Sequence, residues 1–183
     1  VAAGGVTTFG GRIYVVGGID GTSDGSTEIY YTTPDISTGR PGAWSSTSFA
    51  AAGMTGEIAY TYVYTRANPS SAGSNPGNLY TFGGCGDVNT DAGCLNSNYR
   101  SHVYKCNIAT DGSINGCTTT GQLQIDAELA NESDQGLGIH SGTVYANYIY
   151  LIGGFSQNVG DRDTVYYAKF DNSNNVVSVA TNA

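Results

Sequence analysis

Acidic side chains are the residues of this chain whose spacing most directly suggests chemistry. Asp87, Asn89 and Asp91 alternate ahead of Gly93. Ca²⁺ binds oxygen ligands that converge from alternate loop positions, so these three residues are candidate calcium ligands. The twelfth loop position, which normally supplies a bidentate acid, is Asn98. Asp, Asn and Gly also build ordinary turns, and the turn interpretation is favoured. Calcium is the one cofactor that the sequence suggests.

Other candidate catalytic groups are isolated or incomplete. Four acids lie close together: Asp126, Glu128, Glu132 and Asp134. Glycosidases use paired carboxylates as acid and base, but nothing in the sequence fixes a cleft around these four, and a solvated acidic loop is favoured. His102 and His140 are separate from one another and do not make a metal site. Nucleophile-elbow, phosphate-loop and zinc-protease motifs are absent from the sequence. The sequence therefore predicts no catalytic residue.

A threefold repeat shows which elements carry these residues. An apolar-Tyr-apolar run ending in a diglycine occurs at 12–18, 78–84 and 148–154. A second tyrosine-containing run follows each, at 29–31, 103–105 and 165–167. Strand-like runs also precede each diglycine (5–9, 58–64, 142–145) and follow each second run (43–47, 116–120, 176–180). Each copy thus predicts four strands, named a to d in chain order.

The predicted fold class is all-β. The 27 glycines and 14 tyrosines, with charged residues at only 12%, are typical of short strands joined by tight turns. A four-stranded antiparallel sheet repeated along a chain is typical of propeller blades, which stack because one blade cannot cover its own faces. The predicted blades are 1–52, 53–123 and 124–183, all within one propeller domain or part of one.

These motifs resemble the kelch family. The resemblance rests on the diglycines with their preceding apolar-Tyr-apolar runs, on the tyrosine of strand c and on Trp44 in strand d. It spans essentially the whole chain and implies a β-propeller. Cys117 and about Val179 replace the tryptophan in the other copies, and the blades exceed the roughly 50 residues usual for kelch. In their length and tyrosine content they are similar to kelch-like arrays of large bacterial surface proteins.

Three blades are too few for a closed propeller, which has about four to eight. We therefore expect this chain to be part of a larger propeller, with the remaining blades supplied by the parent chain or by another chain.

The four cysteines indicate disulfides, because no Cys-x-x-Cys pair suggests zinc or redox chemistry. A two-residue turn at Asp111-Gly112 would place Thr110 opposite Ser113 and hence Cys106 opposite Cys117. A second bridge, Cys85–Cys94, would close the loop after the middle diglycine. The pairings 85–106 with 94–117, and 85–117 with 94–106, remain open. Any of these pairings predicts an extracellular or cell-surface location.

The loops between strands b and c predict the ligand face. In propellers these loops emerge beside the d–a connections, on the face that usually binds partners. Candidate residues on that face are Asp20, Asp24, Asp161, Asp163 and His140. The five arginines do not fall at equivalent positions in the three copies, so a sialidase-like carboxylate clamp is not predicted.

The net charge and the length of the apolar runs limit the partners that this chain is expected to have. A net charge of −8 argues against nucleic-acid partners, and no apolar run approaches the roughly 18 residues of a membrane helix. We expect a non-catalytic, secreted or cell-surface module that binds a protein or glycan. One alternative is part of a carbohydrate-active hydrolase or oxidase whose catalytic residues lie outside this chain. A second is a structural element of a surface array or filament.

Overall fold

The computed structural model describes residues 3–19, 25–54, 58–69, 75–86, 88–89, 93–94, 99–122, 136–156 and 160–181. These residues form three four-stranded antiparallel sheets in which the strands follow one another in chain order. The all-β, blade-like architecture predicted from the repeat is confirmed. The described residues do not close into a ring.

The first sheet, blade 1, contains Gly5–Phe9 (β1), Arg12–Val16 (β2), Glu28–Thr32 (β3) and Ser45–Ser48 (β4). A single helical turn, Phe49–Ala52 (α1), follows it. Ser48 caps this turn by accepting a hydrogen bond from the Ala51 amide, and Gly53 ends it in the left-handed region. This turn, which was not predicted from the sequence, carries the chain from blade 1 to blade 2.

Blade 2 contains Tyr62–Ala67 (β5), Gly77–Phe82 (β6), His102–Ile108 (β9) and Ile114–Gln122 (β10). A two-stranded ribbon, Val88–Asn89 (β7) with Gly93–Cys94 (β8), lies in its long b–c loop. Blade 3 contains Ser141–Tyr145 (β11), Tyr148–Ile152 (β12), Val165–Phe170 (β15) and Val176–Thr181 (β16). Its b–c loop carries a second ribbon, Phe155–Ser156 (β13) with Gly160–Asp161 (β14).

Two hydrophobic cores lie between neighbouring blades. The first joins residues such as Tyr14 and Ile29 of blade 1 to Leu79 and Ile108 of blade 2. The second joins Tyr80, Phe82 and Val103 of blade 2 to a set from blade 3 that includes Ile149, Leu151, Tyr166 and Phe170. All six residues of β6 are buried because blade 2 is covered on both faces. Each core is therefore an interface, as radial stacking requires.

The three diglycines share one backbone conformation. Their φ angles are 60° and 102° at Gly17-Gly18, 57° and 103° at Gly83-Gly84, and 64° and 108° at Gly153-Gly154. Two successive left-handed residues favour glycine, because a β-carbon is strained there. At Gly17 the reason is also steric, since a β-carbon would overlap the Ile58 carbonyl of the next blade.

Two predicted strands differ from the observed ones. Strand a of blade 2 was expected from residue 58 but begins at Tyr62, because Ile58 and Ala59 instead pair with the diglycine regions of blades 1 and 2. Trp44, expected on strand d of blade 1, precedes β4 and is 48% exposed. The four clustered acids, Asp126, Glu128, Glu132 and Asp134, lie outside the described residues.

The hairpin between β9 and β10 corrects the predicted register while keeping the predicted bridge. Ala109 donates to Ser113, so the loop has three residues rather than two. The pairing is Ile108 with Ile114 at first, and a bulge then shifts it by one residue. Gly116, at a φ of 56°, lies in that bulge. The shift restores the expected alignment, and Cys106 is disulfide-bonded to Cys117.

Candidate binding face

The b–c loops start from one repeated scaffold. The carbonyl of the second glycine accepts an amide hydrogen bond in each blade: from Ser26 to Gly18 (2.6 Å), from Arg100 to Gly84 (2.7 Å) and from Arg162 to Gly154 (2.9 Å). The b–c loops that contain these anchor points differ in length, spanning 17–27, 83–101 and 153–164. A constant frame with variable loops is the arrangement through which rigid scaffolds present binding residues.

Arg100 and Arg162 therefore occupy equivalent positions, which corrects the expectation that no arginines do so. Both lie three residues before the Val-Tyr pair of strand c, so an Arg-x-x-Val-Tyr motif was present in the sequence. The Arg162 Nε donates to the Ser156 hydroxyl at 3.1 Å. The Arg100 Nε is buried against Gly86 and has no hydrogen-bond partner among the described residues.

The acidic candidates on this face are only partly described. Asp161 and Asp163 are exposed, and Asp161 lies in β14 opposite Phe155. The other four acids predicted for these loops, Asp20, Asp24, Asp87 and Asp91, lie outside the described residues. Asn89 lies in β7, but its side chain is also outside them, so the calcium site stays a prediction. Within the described ranges, no three His, Cys, Asp or Glu side chains come together as a metal-binding group.

His140 is placed differently from the other candidates. The residue is only half-buried as a whole, yet both ring nitrogens are shielded from solvent. Neither nitrogen has a hydrogen-bond partner among the described residues. Burial lowers the pKa of His140 to about 4, against a weaker opposing effect of the Phe82 backbone. Its β-carbon lies beside Gly154, under the third diglycine. This placement gives its ring nitrogens no access to a soluble ligand.

An apolar cluster lies beneath the b–c loops. It contains Ile19, Ala59, Cys85 and Tyr99, with Phe155 packed against it. The rings of Tyr99 and Phe155 lie 5.5 Å apart, so the two longer loops contact each other here. Cys85 is disulfide-bonded, whereas the side chain of its predicted partner, Cys94, is outside the described residues.

The c–d connections at the opposite end of the blades share one hydrogen-bonded turn. Asp35, Asp111 and Asp171 each accept a hydrogen bond from the amide two residues later, at 2.7, 2.9 and 2.8 Å. That residue is a serine every time, so the sequence contains an Asp-x-Ser motif that the sequence analysis missed. These hydrogen bonds lower the pKa of all three carboxyls. The aspartates of this end therefore hold turns.

Four-stranded antiparallel meanders that stack face to face, with all b–c loops at one end, define the blades of a β-propeller. Residues 2–33, which span β1 to β3, match the family model of the Kelch motif. This match confirms the kelch resemblance. Kelch repeats generally mediate protein interactions. No curated protein matches the chain. The described residues contain no helix with the length and apolar character to cross a membrane.

Proposed function

We propose that this chain is a non-catalytic, secreted or cell-surface module that binds a protein or glycan partner through its b–c loop face. The observation that carries the proposal is the contrast between the two ends of the blades. The c–d connections (33–44, 109–113 and 171–175) share one Asp-x-Ser turn, whereas the b–c loops start from one backbone frame and then differ in length and composition. Variable loops on a rigid frame favour recognition at that face.

The described side chains of this face suit binding better than catalysis. Asp161 and Asp163 are exposed and unshielded, so they can meet cationic or hydroxyl-bearing groups of a partner. Ile139, 52% exposed in the d–a connection, adds apolar contact area beside them. His140, which lies near this face, has buried ring nitrogens and is poorly placed for proton transfer to a ligand.

The location is proposed from the disulfides. Cys106–Cys117 is formed and Cys85 is bonded as well. Disulfides persist in oxidising compartments, which supports a secreted or cell-surface protein.

A two-arm binding screen tests the proposal. The chain is presented to a displayed random-peptide library and to a printed glycan array, and binders are retested on Asp161→Ala/Asp163→Ala. We expect at least one arm to yield a binder whose affinity falls about tenfold or more in this double variant, since the two side chains are exposed contact residues. Ile36→Ser is the matched control, because Ile36 is fully exposed on a c–d hairpin at the opposite end. Binders that lose affinity only with Ile36→Ser, or no binder in either arm, would contradict the proposal.

A further inference from the structure

The outer face of blade 3 repeats a surface that is buried in the other two blades. The alignment of the diglycines makes three pairs of side chains equivalent, one residue on strand b and one on strand c: Val16 with Ile29, Phe82 with Val103, and Ile152 with Val165. The first two pairs are 0% exposed because the next blade covers them. Ile152 and Val165 are 48% and 37% exposed. Blade 3 thus presents an apolar face that no other blade covers among the described residues.

Blade 1 presents the opposite kind of face. Val6 on β1 is 61% exposed, whereas its equivalent on β5, Val63, is 4% exposed under blade 1. Ile13 on β2 is also less buried than its equivalents: it is half-buried, whereas Leu79 and Ile149 are buried against the preceding blade. The open face of blade 1 is therefore equivalent to the faces that blades 2 and 3 pack against the preceding blade. The open face of blade 3 is equivalent to the surfaces on which those faces pack.

The backbone hydrogen bonds that cross the two interfaces also have equivalent groups at the two open faces. The Tyr60 amide donates to Ala3 at 2.8 Å and the Ile139 amide donates to Tyr60 at 3.1 Å, so one hydrogen bond crosses each interface at equivalent positions. All three residues have left-handed φ angles of 53–56°. The next hydrogen bond in this series would run from an amide equivalent to that of Ala3 to the Ile139 carbonyl. Blade 1 of a second copy carries such an amide.

An exposed side chain at the open face of blade 3 also matches a hollow at the open face of blade 1. At the first interface Phe9, the last residue of β1, packs on Gly77 of the next blade. At the second, the equivalent Arg66 bonds Asn147, which is equivalent to Gly77, at 2.7 Å. On blade 3 this position is Tyr145, 76% exposed. The corresponding receiving position on blade 1 is Gly11, which has open space over it and borders a hollow of about 500 Å³.

We propose that the open face of blade 3 docks on the open face of blade 1 of a second copy of this chain, and that two copies close head to tail into a six-bladed ring. Tyr145 of each copy enters the hollow at Gly11 of the other, and Ile152 and Val165 are covered as their equivalents are. Two copies of these 183 residues supply six blades, within the range of about four to eight found in closed propellers, whereas one or three copies fall outside it. Two equivalent interfaces related by one twofold axis close without leaving a free face.

Sedimentation velocity on the 183-residue chain across a concentration series tests this. We expect a single species of twice the 18.9 kDa chain mass. Ile152→Lys places a charge in the docked face and should raise the dimer dissociation constant about 30-fold or more, as for an interface hot spot. Tyr145→Ser should do the same, and because that side chain is largely exposed within one chain, its loss leaves the fold intact.

Val177→Lys is the matched control. Val177 is 62% exposed on the outer strand of the same face, but its equivalent in blade 2, Asn115, stays exposed beside blade 3. This variant should therefore remain dimeric, and far-ultraviolet circular dichroism should show all three variants folded. A folded wild-type monomer would overturn the proposal and leave the face to a blade of another chain. Assemblies that keep growing with concentration, or a dimer broken by Val177→Lys and not by Tyr145→Ser, would overturn it as well.

Discussion

Acidification should destabilise this protein through His140 before it affects the aspartates. Burial holds the pKa of His140 at about 4, against an ordinary value of 6.5. Between these two values the unfolded chain binds a proton that the folded chain does not, so the free energy of unfolding falls as the pH falls. A difference of this size corresponds to about 3 kcal/mol, lost across that interval and complete near pH 4.

Urea unfolding at about pH 7, 5.5 and 4 measures this loss. The wild type should lose about 3 kcal/mol between the highest and lowest pH, whereas His140→Leu, which has no titrating ring, should lose less than about 1 kcal/mol. The three hairpin aspartates do not confuse the comparison. Their pKa values are lowered below the ordinary 3.8, so the stability they contribute is lost only as the pH falls through values below 3.8. An equal loss in wild type and His140→Leu would refute the assignment to this side chain.

Two further changes test how the blades are held, and both are measured by urea unfolding. Gly17→Ala should cost about 3 kcal/mol or more, since it adds a clash with the Ile58 carbonyl to the strain of a left-handed alanine, whereas Gly153→Ala should cost only about 1–2 kcal/mol of strain. Both are compared in the Ile152→Lys background so that dimer closure does not contribute, and equal costs would contradict the clash. Replacing Cys106 and Cys117 by alanine should cost about 2–3 kcal/mol under non-reducing conditions, given a sequence separation of 11; an unchanged midpoint would show that the bridge does not constrain the unfolded chain.

The sequence predicted the blades well because their signal is local and repeated. The strand-like run upstream of the first diglycine placed β1 at Gly5–Phe9, as observed. The register of the β9–β10 hairpin was harder. A two-residue turn was assumed, and the observed three-residue loop would have separated the cysteines if the bulge at Gly116 had not shifted the pairing back. A bulge depends on the pairing of two strands, which turn residues alone do not reveal.

The binding face was predicted less completely, for two reasons. Arg100 and Arg162 lie at different distances from their diglycines but at the same distance from strand c, so their equivalence is visible only when the copies are aligned on strand c. The burial of the His140 nitrogens depends on packing under the third diglycine, which no single segment specifies. The acids of the first two b–c loops fall outside the described residues, so their role remains a prediction.

The open faces of blades 1 and 3 also bear on how stability is distributed along the chain. In a stacked array each blade is stabilised by its neighbours, so blade 2 has two interfaces and each outer blade has one. The six buried residues of β6 and the exposed pair Ile152 and Val165 show the two situations at equivalent strands. Within a single chain, blades 1 and 3 should therefore open before blade 2, because less apolar surface holds them. Closure would give every blade two interfaces and turn stepwise opening into one cooperative transition. Hydrogen exchange of the β12 and β2 amides, compared with that of β6, would then become uniform in the dimer and stay uneven in the Ile152→Lys monomer.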